Sequence, residues 1–206
     1  RKEKKMSVYT IGCSTNTLEQ FLELLKMHNI NCIVDVRSTP FSKYTSQFNR
    51  EGLQSYLKKH SILYIWMGKE LGARRDNKEL YSIQGYLDFE KVRKDSEFLG
   101  GVERVRNGIS KGYRICLMCT EKDPIDCHRT ILVAKGLEDN GIEVNHILQD
   151  GKLINKQQIA ERLLDMYFKD RNQINFDMLL GNSKTEEEML EEAYKKRNKD
   201  IGFEIN

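Results

Sequence analysis

Short apolar runs of strand length alternate along this chain with amphipathic runs of helix period. That alternation constrains the fold more than any other feature. Residues 30–36 read Ile-Asn-Cys-Ile-Val-Asp-Val, the nearly unbroken apolar run of a parallel strand buried on both faces. Residues 8–11, 62–66, 113–118 and 142–148 have the same character, the first ending at Gly12. Between them lie runs of helical spacing. Leu18, Phe21, Leu22 and Leu25 follow an Asn16 cap with Glu19 three residues on. Leu53, Tyr56 and Leu57 share a face of 50–60, Phe98, Val102, Val105 and Ile109 follow a Ser96 cap, and a further helix is expected near 127–140. Strand, helix, strand in this rhythm means βαβ units. The expected architecture is α/β: a Rossmann-like three-layer domain with a mostly parallel sheet, over residues 7–150.

Beyond residue 151 the strand signals stop. Two amphipathic helices are expected there, 156–168 and 186–197, the second opening on Glu186, Glu187 and Glu188, where a helix dipole favours acids. Charge shifts at the same place: residues 1–150 carry 24 basic and 20 acidic side chains, residues 151–206 carry 10 and 11. We read 151–206 as a helical extension packed on the sheet domain, and residues 1–6 as a disordered start.

Charged residues make up 32% of the chain and the mean hydropathy is −0.63, with no run of the ~20 apolar residues that a membrane span needs. With no secretory signal in view, the expected location is cytoplasmic and the five cysteines are expected to be reduced thiols. A net charge of +3, without aromatics interleaved among basic residues, gives little support to nucleic acid as a partner.

Ligands of open parallel sheets bind beyond the carboxyl ends of the strands, so the segments that follow each strand are where chemistry is expected. They carry Cys13 and Ser14 after the first strand, Asp35, Arg37, Ser38 and Ser42 at the second, Arg74 and Arg75 after the third, and Cys119, Glu121, Cys127, His128 and Arg129 after the fourth. The last segment is the richest. Cys127 and His128 at a helix start can pair a thiolate with a proton shuttle, and Arg129 can fork around an anion. The same residues also read structurally, with Cys119 filling a strand end and Arg129 in a surface ion pair. Cys32 and Cys116, inside apolar runs, are expected to be core filling. Gly12 allows a close backbone approach to a ligand, but neither a dinucleotide fingerprint nor a phosphate-binding P-loop is present. Cys13, Cys119, Cys127 and His128 are zinc-type donors, yet Cys-x7-Cys is no standard knuckle, and Cys116 and Cys119 point to opposite faces of a strand. No metal and no cofactor are therefore expected.

Five motifs carry a resemblance: Tyr-Thr-Ile-Gly-x-Ser (9–14), Asp-Val-Arg-Ser-x-Pro-x-Ser (35–42), Gln-Phe-Asn-Arg (47–50), Leu-Gly-x-Arg-Arg (71–75) and Met-Cys-x-Glu-x-x-Pro-x-x-Cys-His-Arg (118–129). Together they resemble the bacterial and archaeal family called domain of unknown function 488. The likeness runs on through 144–147, and 193–201 resembles a C-terminal extension of some members. It implies an α/β fold and groups Cys119, Glu121, Cys127, His128 and Arg129 as the functional set, with Ser14, Asp35, Arg37, Arg74 and Arg75 beside them. Many members have Gly-His-Ser where this chain has Gly12-Cys13-Ser14.

Two functions follow as expectations. One is an enzyme, of thiol-dependent transferase or hydrolase type, acting on a small anionic or nucleotide-like ligand. The other is a binding protein for an anion, a nucleotide or nucleic acid, in which the same loops hold the ligand without chemistry.

Overall fold

The computed structural model describes residues 6–171 and 184–205. The expected disordered start lies outside the described residues except for Met6, which packs against the core. Five parallel strands form the sheet: β1 (Ser7–Gly12), β2 (Cys32–Asp35), β3 (Leu63–Trp66), β4 (Ile115–Cys119) and β5 (Glu143–Ile147). A sixth, β6 (Leu153–Asn155), pairs antiparallel to β5 at the edge, and the order is β3-β2-β4-β1-β5-β6. The fold is the expected Rossmann-like α/β arrangement. β6 corrects the expectation that strands end before residue 151: three residues with one side chain half-buried are too few to show a period of two.

Helices cover both faces. α1 (Leu18–Met27) and α2 (Arg50–Lys59) bury Phe21, Leu25, Leu53 and Leu57 on one side, with Ile11, Ile33 and Cys116 of the strands. α4 (Phe89–Lys94), α5 (Ser96–Ser110), α7 (Lys156–Tyr167) and α8 (Glu186–Ile201) cover the other side, where Phe98, Leu163 and Tyr194 meet Val8, Val34 and Leu117. Between them in the chain, α3 (Gly68–Leu71) is a single turn after β3 and α6 (Lys135–Asp139) continues the helix that leads into β5. Leu163 of α7 and Ala193 and Tyr194 of α8 belong to the same core cluster as the strand residues Val8, Val34 and Leu117. Cys116 and Cys119 fall in opposite cores, as the strand period dictates.

Two caps shift by one residue. Thr17, not Asn16, closes α1: its side chain accepts from the Gln20 N–H while the Gln20 side chain accepts from the Thr17 N–H. Asn16 is buried and donates instead toward the Gly12 carbonyl. Asp95, not Ser96, caps α5, its carboxylate accepting from the Glu97 N–H. Among the described residues no helix is long and apolar enough to cross a membrane.

Candidate functional site

Gly12 fixes how the site is assembled. The β1–β4 ladder continues past both strands, with the Cys13 N–H donating to the Cys119 carbonyl at 3.0 Å and the Ser14 N–H to the Thr120 carbonyl at 2.9 Å. This draws the chain after β4 across β1 so closely that a Cβ on Gly12 would lie 1.8 Å from the Glu121 carbonyl oxygen. The close approach that glycine permits is therefore to the 119–129 loop itself. Pro124–Asp126 form one 3-10 turn, Cys127 follows in extended backbone, and His128 then leads into a π-helical stretch, Arg129–Ala134, that continues into α6. Wide turns of this kind recur at functional sites.

That route gathers the loop's polar side chains under one spot. Cys127 Sγ lies 2.8 Å and Cys119 Sγ 3.2 Å from Glu121 Oε2, and Cys119 Sγ is 3.6 Å from His128 Nδ1. The other ring nitrogen, His128 Nε2, is 3.0 Å from the Val36 carbonyl, to which it donates. The Arg129 N–H points at Cys127 Sγ from 3.4 Å. Both cysteines are nearly closed off, Cys119 at 3% exposure and Cys127 at 1%. The bond to Cys127, then burial, pushes the Cys119 thiol well up. Burial also opposes the Cys127 thiolate, but the bond from Cys119 and the charges of Arg129 and His128 outweigh it and hold that thiol below its ordinary range. Burial and the Cys127 charge raise the Glu121 carboxyl, while His128, opposed by burial, is raised by Cys127.

Beside this cluster opens a cleft of about 450 Å³, lined by Cys119, His128, Arg37, Ser38 and Arg74 and by the apolar Phe41 and Phe203. It lies at the carboxyl ends of β2 and β4. Glu121 forms part of its wall and also borders a neighbouring groove of about 700 Å³ with Asp123, Gln149 and Arg162.

The four arginines expected around a ligand take different roles. Arg74 is exposed on the cleft wall, its guanidinium stacked 4.6 Å over Phe203. Arg37 reaches the cleft but spends its fork on Asp35, with Nε 2.9 Å from Oδ1 and Nη2 2.7 Å from Oδ2, and Nη2 also donates to the Phe48 carbonyl. Arg75 is buried and donates to the Lys69 and Glu70 carbonyls and to Glu97. Arg129, at 0% exposure, gives its nitrogens to the Glu121 and Lys122 carbonyls and to Thr10 Oγ1. It locks the loop from within and does not line the cleft, because the loop's own carbonyls need donors that burial denies them from water.

Of the other expected ligand residues, Ser38 lines the cleft and its Oγ accepts from the Arg74 N–H. Asp35 is buried beneath, also accepting from Tyr64 at 2.6 Å. Cys13 is buried, and burial pushes its thiol up to about 12. Ser14 borders a separate recess with Asn16 and Gln47. Ser42 caps its own loop, its Oγ accepting from the Tyr44 and Thr45 N–H groups. Sequence reasoning passed over Phe41, Phe203 and Ile201 as lining residues. The last two come from the end of α8 and the tail beyond it, and no local spacing connects them with a loop about 80 residues upstream.

An open, mostly parallel sheet with sulfur, imidazole and carboxyl groups converging at its carboxyl edge defines a Rossmann-like α/β protein with a candidate reactive centre. The chain matches the family model described as domain of unknown function DUF488 over residues 17–135. That is more than half its length, and the chain belongs to this family. The matched segment holds the cleft-lining segments 37–41, 73–74 and 119–128 but not Ile201 and Phe203, and it stops before the C-terminal extension. No curated protein and no solved structure matches the chain.

Proposed function

We propose that this protein is an enzyme acting on a small anionic, nucleotide-sized ligand, with the Cys119, Cys127, His128 and Glu121 cluster as its reacting centre. The observation that carries the reading is a juxtaposition. One cleft is lined by Arg74 and Ser38 together with Cys119 and His128, so a group that holds an anion shares it with groups that can react with it. Phe41 and Phe203, which also line it, offer apolar surface for the remainder of the ligand. The reaction class that suits these groups is group transfer or hydrolysis.

The rival reading, an anion-binding protein without chemistry, is favoured by the near-complete burial of both sulfurs. Turnover separates the two. Phosphate, nucleotides and small phosphorylated and carboxylated compounds are screened first by thermal shift, then for conversion. A charge-assisted contact at an exposed arginine contributes about 1.5 kcal/mol, so Arg74→Ala should weaken binding of the active compounds about tenfold. Cys119→Ser should retain binding and lose turnover. Equal responses of wild type and Arg74→Ala to every compound refute the cleft. Binding that depends on Arg74 with no conversion of any bound compound selects the binding protein.

A further inference from the structure

We propose that Cys119, Cys127 and His128 form a binding site for a zinc-like, thiophilic divalent cation, whose fourth coordination position faces the cleft. This deepens the reading above: the two sulfurs act as ligands of the reacting centre and not as a free nucleophile.

The donor geometry is the first support. One donor atom from each of the three residues lies within 4.8 Å of the other two. Four-coordinate zinc with bonds of about 2.3 Å to sulfur and about 2.0 Å to nitrogen places those donors about 3.5 Å apart. The Cys119 Sγ to His128 Nδ1 separation is 3.6 Å.

The surroundings of the donors are the second. The bond from His128 Nε2 to the Val36 carbonyl leaves the Nδ1 lone pair directed at the sulfurs, and a backbone carbonyl in this role is the usual orienting partner of a metal-bound histidine. The Arg129 N–H directed at Cys127 Sγ is the corresponding support for a thiolate ligand.

Charge is the third. When a cation displaces their protons the two buried thiolates amount to −2. A divalent cation matches that charge inside the fold, where unbalanced charge is costly. Two sulfurs and an imidazole select zinc or a similarly soft ion over magnesium or calcium, which take oxygen ligands. Three protein donors leave a position open, as in catalytic zinc sites. Cys119 and His128 are the two donors that line the cleft, so the open position lies on the ligand's side. The spacing that argued against a metal, Cys-x7-Cys-His, is no knuckle because its donors come from a strand end and a helix start that only the sheet brings together.

The test uses the full chain, reduced and treated with chelator, then titrated with cobalt(II) chloride. The expected result is a sulfur-to-cobalt charge-transfer band and tetrahedral d–d bands that saturate near one equivalent and are displaced by zinc chloride. Cys119→Ser and Cys127→Ser should each lose the band, whereas Cys32→Ser should keep it, with far-UV circular dichroism verifying the fold of each. X-ray absorption at the zinc edge of the zinc-loaded wild type needs no variant and should show two sulfurs in the first shell. A folded wild type without a charge-transfer band, a band unchanged in Cys127→Ser, or a zinc shell without sulfur overturns the proposal. The two readings fail separately. A cobalt band with no anion response removes the cleft function and supports the metal site, and an Arg74-dependent anion response with no cobalt band does the reverse.

Discussion

Replacing Asp35 with alanine tests how the cleft wall is held. Asp35 is fully buried and Arg37 is 5% exposed. The carboxylate accepts from Arg37 Nε and Nη2, from the Arg37 N–H and from the Tyr64 hydroxyl, at distances between 2.6 and 3.0 Å. Asp35→Ala leaves a guanidinium buried without its counter-charge, with only the Phe48 carbonyl among these partners, and it leaves the Tyr64 hydroxyl unpaired. Removing one partner of a buried pair costs about 3–5 kcal/mol, and the orphaned hydroxyl about 1 kcal/mol more. The expected loss is therefore about 4–6 kcal/mol, measured as the shift in urea midpoint at constant slope. The charge argument makes a sharper claim about the pair. Asp35→Ala with Arg37→Met should be more stable than Asp35→Ala alone by about 2 kcal/mol, since the second change removes the stranded charge. A single variant that loses under 1 kcal/mol, or a double variant whose loss equals the sum of the two single losses, would refute the reasoning.

Gly12→Ala should cost about 2–3 kcal/mol in the same assay and impair anion binding, because its Cβ meets main-chain atoms that cannot turn aside; a change below about 0.5 kcal/mol would show that the 119–129 loop is free to shift. His146 is buried with Nδ1 2.8 Å from the Thr10 hydroxyl, and burial, then Arg129, pulls its pKa from 6.5 down to about 3. The folded state thus takes up its proton later than the unfolded one: stability is complete above pH 6.5 and falls as pH drops toward 3, by at most about 4 kcal/mol. His146→Gln should flatten that acid slope, and an unchanged slope contradicts the assignment. Glu138 has the opposite sign, since burial raises its pKa from 4.5 to about 7 against Lys156 and Lys135. Its contribution is complete below pH 4.5 and is lost as pH rises through 7, so Glu138→Gln should gain about 3 kcal/mol at pH 8 and nothing at pH 4; chemical denaturation at those two pH values decides it.

The apolar runs and helical stripes of this sequence are enough to determine the layered sheet. A run such as 30–36 is buried on both faces or the chain does not fold, and that requirement is local. Strand polarity then determines that the segments after β1, β2, β3 and β4 share the sheet's carboxyl edge, which is why the residue types of the cleft were legible. Only the tertiary structure decided which of them face it. Arg37, Arg74, Arg75 and Arg129 are alike in sequence, yet Arg75 and Arg129 turn inward because the bends after β3 and β4 bury carbonyls that need donors, while Arg74 remains on the wall. β6 and the tail residue Phe203 escaped notice for a related reason, one too short to show a period and the other joined to the cleft only by folding. The convergence of Cys119, Cys127 and His128 depends on how closely the 119–129 loop crosses Gly12. Periodicity reports which face a side chain occupies, but not which distant main-chain atom will be left for it to meet.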